Sequence, residues 1–138
     1  KVQEVISNID WAPTILNIAQ TKIPSEIQGK SFLPVLSGKV SGWKNESYYH
    51  YYEYPAIHMV KRHYAIVTEE YKLAYFYYDI DEWELYDRLR DPQEMNNVYA
   101  DPAYAEIVQK LHKELEELRI QYKDSPELDQ KYIDMYQE

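Results

Sequence analysis

Four side chains near the middle of the chain offer chemistry that a ligand could use. His58, Lys61, Arg62 and His63 fall within six residues, just after Tyr54-Pro55. An imidazole donates or accepts hydrogen bonds near neutral pH and can bond a sugar, and paired cations hold an anionic group. The proline stops a strand and throws the segment into a loop, where binding residues concentrate. The same four residues also fit a solvated loop with one packed histidine, because most surface charge meets only water. A metal site built on the two histidines lacks a third ligand at a diagnostic spacing. Around these residues, 47–68 holds six of the chain's sixteen tyrosines. Their rings suit either a platform on which a flat sugar stacks or an ordinary amphipathic sheet surface. Strand alternation puts Tyr49, Tyr51 and Glu53 opposite His50, Tyr52 and Tyr54, so both faces are partly aromatic and alternation alone does not choose.

Elsewhere the chain offers little reactive machinery. With no cysteine it has no disulfide, thiolate metal site or Cys nucleophile, and it contains no G-x-S-x-G, no Gly-rich phosphate loop and no H-E-x-x-H. Asp79, Asp81, Glu82, Glu84 and Asp87 form an acidic run without the glycine of a helix-loop-helix calcium site, and read as a charged hairpin turn. His112 reads as a boundary residue of a helix. No catalytic residue and no metal ligand is assigned. A formal charge of -9 disfavours nucleic acid and anionic membrane surfaces as partners. No apolar run is long enough for a membrane span. The opening Lys1-Val2-Gln3, without an initiator Met, fits a piece of a longer polypeptide.

The elements that must position these residues follow from pattern. Asp10-Trp11-Ala12-Pro13 and Ser31-Phe32-Leu33-Pro34 each set a capping side chain before a proline in a first helical turn. The first helix is expected to bury Ile15, Leu16, Ile18 and Ala19 and to end near Gln20; the second stops at Gly38. Strands are expected at 47–54, 63–68, 71–78 and 83–87, the last three an antiparallel meander. After Asp101-Pro102, the spacing of Ile107, Val108, Leu111, Leu115, Leu118 and Tyr122 predicts a long amphipathic helix to about Lys123. The fold class is α+β: two short helices, a four-stranded antiparallel sheet and a long C-terminal helix packed on it. One domain is expected over 1–123, with 124–138 a polar tail that is a short helix or frays.

Several phrases in order carry a resemblance. Ser7-Asn8-Ile9-Asp10-Trp11-Ala12-Pro13-Thr14-Ile15-Leu16, Gln28-Gly29-Lys30-Ser31-Phe32-Leu33-Pro34, Thr68-Glu69-Glu70-Tyr71-Lys72-Leu73, Glu84-Leu85-Tyr86-Asp87 and Asp91-Pro92-x-Glu94-x-Asn96-Asn97 resemble the C-terminal part of the formylglycine-dependent sulfatases. The likeness runs over about residues 5–122. Tyr51-Tyr52-Glu53-Tyr54-Pro55 with His58 and His63 is similar to the carbohydrate sulfatases of that family, among them those acting on N-acetylglucosamine 6-sulfate. Two departures stand out: Gln20 replaces the usual glycine after the first helix, and Val67 and Glu70 stand where relatives often carry arginine.

The resemblance implies the C-terminal subdomain of an alkaline-phosphatase-like enzyme, a sulfuric ester hydrolase. The formylglycine nucleophile and a calcium ion would reside in an N-terminal catalytic domain of the same polypeptide, so the present chain alone would be inactive and would hold no cofactor. It would supply packing and pocket-rim loops, with His58 and His63 as substrate contacts and Lys61 and Arg62 as secondary ones. The implied partners are that catalytic domain and a sulfated carbohydrate, and the implied location is periplasmic or extracellular. The residues themselves leave open a free-standing carbohydrate-binding module or a structural interaction module.

Overall fold

The computed structural model describes residues 2–136. Its backbone runs through α1 (Trp11–Ile18), α2 (Leu33–Leu36), β1 (Glu46–Tyr51), β2 (His63–Thr68), β3 (Tyr71–Phe76), β4 (Glu82–Asp87), α3 (Ala105–Gln121) and α4 (Pro126–Met135). This is the α+β arrangement expected, with a four-stranded sheet and a long helix after two short ones. The outer limits of the expected domain and tail, Lys1 and Glu138, lie outside the described residues. The chain divides into two compact units, Lys1–Ser47 and Tyr48–Glu138. None of the described helices is long and apolar enough to cross a membrane.

In the first unit a carboxylate takes the place usually held by an apolar centre. Asp10 is fully buried. One of its oxygens accepts from the Ser7 amide at 2.9 Å and the Ser7 hydroxyl at 3.0 Å, and the other accepts from the Lys30 amide at 2.9 Å. Lys44 Nζ lies 2.6 Å from the first of these oxygens. Burial would raise the pKa of Asp10, but these partners outweigh it and hold the carboxyl below its ordinary value. Thr14, also buried, donates to the Asp10 carbonyl at 2.6 Å and accepts from the Phe32 amide at 3.0 Å. Gly29 runs so close to Ile9 that a Cβ would sit 1.9 Å from its carbonyl oxygen, so only glycine fits there.

This polar centre corrects one expectation. The inward face of α1 is Pro13 and Thr14. Ile15 and Ile18 are each 60% exposed, Ala19 is exposed, and only Leu16 is half-buried. Because the Thr14 hydroxyl is drawn between Asp10 and Phe32, the helix presents its apolar row, Trp11, Ile15 and Ile18, outward.

The second unit has a conventional apolar core. The sheet order is β1-β2-β3-β4. Antiparallel register aligns Ile66 with Leu73 and Leu73 with Leu85, a row of fully buried aliphatic side chains across three strands. Leu111, Leu115 and Leu118 of α3 and Ile133 of α4 pack on that face. Asp101 caps the approach to α3 by accepting from the Ala103 amide at 2.9 Å. The Asp91-to-Asn97 phrase is a turn that seals the sheet edge. Asp91 accepts from the Met95 and Asn96 amides at 2.7 Å, and Asn97 accepts from the Leu85 amide at 3.0 Å. The tail folds back through Lys123, whose φ is +58°, and Ser125 caps the start of α4.

Candidate functional site

Residues 52–62 leave β1 and return to β2 as a loop with an exposed tip. The Met59 amide donates to the Ala56 carbonyl at 3.0 Å, closing a turn that lifts Ile57 and Met59 into solvent, 96% and 63% exposed. His58 is exposed within that turn. Met59 has a φ of +52°, a strained value for a residue with a Cβ, and the Tyr54-Pro55 peptide is cis. An apolar tip carrying one imidazole projects from a loop whose base is firmly tied.

The tie is Arg62, 2% exposed. Its Nε donates to the Tyr52 carbonyl at 3.2 Å and an Nη donates to the Tyr54 carbonyl. Lys61 Nζ donates to the Tyr54 hydroxyl at 2.7 Å, lies over that ring at 3.9 Å, and pairs with Asp79. The bond to Asp79 is the main reason its pKa is raised. His63 begins β2 and is half-buried, stacked on Phe76 with centroids 4.7 Å apart and edge-on to Tyr49 at 5.4 Å. Its Nδ1–H donates to the Lys61 carbonyl at 2.8 Å, and burial lowers its pKa, so a neutral ring is favoured with Nε2 as its acceptor edge. The structure therefore gathers Lys61, Arg62 and His63 at the loop's base and sets His58 apart at its tip.

A second cluster, unforeseen in the sequence, lies behind that base. His50 Nδ1 is 2.8 Å from Asp124 Oδ2, and His50 Nε2 shares a 2.7 Å hydrogen bond with the Tyr77 hydroxyl. Tyr48 also donates to Asp124 Oδ2, and Tyr52 donates to Asp124 Oδ1 at 3.3 Å. Arg119 Nη2 donates to Asp129 at 2.9 Å, its Nε is 3.5 Å from Asp124, and its guanidinium lies 3.9 Å over the Tyr64 ring. The two carboxylates are driven in opposite directions. Burial would raise Asp124, but the bonds from His50 and Tyr48 bring it below its ordinary value. For Asp129 burial wins over Arg119 and the pKa is raised.

His50, Asp124 and Asp129 offer ligand atoms within 4.8 Å of one another, close enough for a metal ion. The arrangement does not suit one. Asp124 meets Nδ1 whereas Asp129 Oδ1 is 3.8 Å from Nε2, on the opposite edge of the same ring. Arg119 already supplies positive charge to both carboxylates. It is an ionic cluster in which Arg119 serves both carboxylates and Asp129 Oδ1, buried, is left without a hydrogen-bond partner among the described residues. The sequence hid it because Asp124 is 74 residues from His50; the one legible signal was a histidine on the strand face turned toward the long helix. A separate cleft of about 420 Å³, lined by Glu70, Tyr71, Asp87, Arg90 and Tyr104, includes none of these residues.

Comparison with known proteins adds the family context. Residues 1–121 match the family model described as N-sulphoglucosamine sulphohydrolase, C-terminal. The chain is 53% identical over 121 residues to an N-acetylglucosamine-6-O-sulfatase of Bacteroides thetaiotaomicron, covering 86% of this chain and 22% of that protein. A solved sulfated-sugar complex, described as holding its substrate D-glucosamine-2-N,6-O-disulfate, matches with a TM-score of 0.80 and 51% identity over 85% of this chain and 24% of that one. The phosphonate monoester hydrolase of Agrobacterium radiobacter shares the fold, with a TM-score of 0.64 at 24% identity over 81% of this chain and 24% of that one. The chain thus spans about a quarter or less of the length of these relatives.

Proposed function

The chain belongs to the N-sulphoglucosamine sulphohydrolase C-terminal family, and from that premise we propose that it is the C-terminal part of a glycan sulfatase that hydrolyses N-acetylglucosamine 6-sulfate or a close relative. The observation that carries this reading is the 53% identity to an N-acetylglucosamine-6-O-sulfatase over 121 residues. The reaction splits a sulfate ester with water to leave the sugar hydroxyl and inorganic sulfate. The formylglycine of such enzymes has no counterpart in this sequence, which holds neither a cysteine nor an S-x-P-x-R, and the His/Asp set found among the described residues already has Arg119 beside both of its carboxylates. Both the formylglycine and the calcium are assigned to the upstream part of the polypeptide.

What this chain contributes is a rim and a packing surface. The loop 52–62 forms the rim: His58 at its tip and His63 at its foot bond the sugar, and Lys61 adds positive charge toward the sulfate while held by Asp79. Arg62, with its guanidinium committed to the Tyr52 and Tyr54 carbonyls, acts indirectly by fixing the loop. The outward row Trp11, Ile15 and Ile18 on α1 is the packing surface, and its occupant is the upstream catalytic domain, which accounts for most of the relatives' length. The proposed compartment is periplasmic or extracellular, where sulfated glycans are met as polymers.

The test is steady-state kinetics on the full-length enzyme with N-acetylglucosamine 6-sulfate. His58→Ala and His63→Ala together should lower kcat/KM by about tenfold or more, the loss of one or two hydrogen bonds to substrate. Unchanged kinetics would remove the loop from the site.

A further inference from the structure

We propose that the C-terminal segment 124–136 positions the rim loop, acting through the ring of Tyr52. The proposal rests on the reading of 52–62 as a pocket rim, and it concerns a part of the chain that lies beyond the family match, which ends at residue 121.

Tyr52 is the first residue after β1 and therefore the root of the loop. Its ring is gripped from two sides. His50 of β1 stacks on it with centroids 3.6 Å apart, and Tyr132 of α4 packs against it at 4.3 Å. Its hydroxyl donates to Asp124 at the turn into α4, and its carbonyl accepts from the buried Arg62. The tail is in turn fastened to the body of the unit. Ile133 is buried in the core, Arg119 of α3 bonds Asp129, and His50 and Tyr48 bond Asp124. One side of the loop's root is thus set by the tail and the other by Arg62. A shift of Tyr52 is passed directly to Tyr54, because the same guanidinium holds both carbonyls.

Without the tail, Tyr52 loses a ring partner and its hydroxyl's acceptor. The loop then samples more positions, and the cost falls on substrate contacts made at its tip. The tail is a positioning element, and its residues touch no reacting atom. Small displacements of positioning groups are costly to binding and rate.

The experiment uses the full-length enzyme with three changes: a stop after Lys123, Tyr132→Ser and the conservative Tyr132→Phe. Two substrates are compared, N-acetylglucosamine 6-sulfate and a small aryl sulfate that does not reach the rim. The stop and Tyr132→Ser should raise KM for the sugar by about tenfold, leave kcat for the aryl sulfate within about twofold, and speed amide hydrogen exchange over 53–61. Tyr132→Phe should restore the parental values. If the stopped chain fails to fold, the two Tyr132 variants carry the comparison. Unchanged exchange over 53–61 in Tyr132→Ser would overturn the proposal, as would an equal loss on both substrates. Faster exchange with unchanged sugar KM would instead leave the mechanical link standing and overturn its role in substrate binding. The loop-tip change His58→Ala separates the two readings: if it too leaves the sugar KM unchanged, the rim reading has failed, and if it raises that KM while the tail variants do not, the tail proposal alone has failed.

Discussion

Asp10 shows how a single residue can be readable in type and hidden in role. Its place before Trp11-Ala12-Pro13 reads as a helix cap, yet its side chain makes no bond to α1 and instead gathers Ser7, Lys30 and Lys44 around a fully buried carboxylate. Partners 20 and 34 positions away leave no local signature. Asp10→Asn would strand Lys44 and break the pairing, at a cost of about 2–4 kcal/mol in the stability of the chain, measurable by urea titration. The pH dependence has a definite sign. A carboxyl held below its ordinary value of 3.8 stabilises the fold fully above that pH and loses the contribution as pH falls through the lower folded value. The variant should therefore show a flatter acid limb in a melting-temperature profile below about pH 4. The loop that carries His58, Lys61 and Arg62 was legible because Pro55 announces it. That Arg62 would be spent on carbonyls was not, since burial depends on what folds over it.

At the scale of elements, periodicity served where one partner layer dictates burial. The β2, β3 and β4 strands sit close to where strand composition and turn punctuation put them, and the long helix where the spacing of Ile107 to Leu118 puts it. Periodicity misled for α1, whose Ile15 and Ile18 are 60% exposed and whose Trp11 meets its own unit only edge-on, against Phe32. The two settings of this helix give a prediction. In the 138-residue chain Ile15→Asp should change stability by less than about 0.5 kcal/mol, the range of surface substitutions. In the full-length enzyme the same change should cost about 2 kcal/mol or more, because it buries a charge against the catalytic domain. Equal small effects in both, read from denaturant midpoints, would show that nothing covers the helix. The tail was legible only as polar with Leu128, Tyr132 and Ile133 at near-helical spacing. Its docking depends on an ionic cluster drawn from β1, α3, the turn before α4 and α4 itself, a combination that no local pattern encodes.

For the whole molecule, the phrases shared with the sulfatases carried the family, and composition bounded the chemistry. Without a nucleophile, the 138-residue chain is expected to release no sulfate from an aryl sulfate with calcium present, followed by colorimetric assay; turnover would overturn the division of labour proposed here. The buried cluster has a further consequence for anyone who handles this protein as a module. A gene trimmed at residue 121, where the family resemblance stops, would encode a sheet in which His50, Tyr48 and Tyr52 have lost their shared carboxylate and Arg119 has lost both of its own. The family model stops before the side chains that complete this cluster. The segment 124–136, which brings those carboxylates and the buried Ile133, belongs in any piece that is cloned, crystallised or grafted.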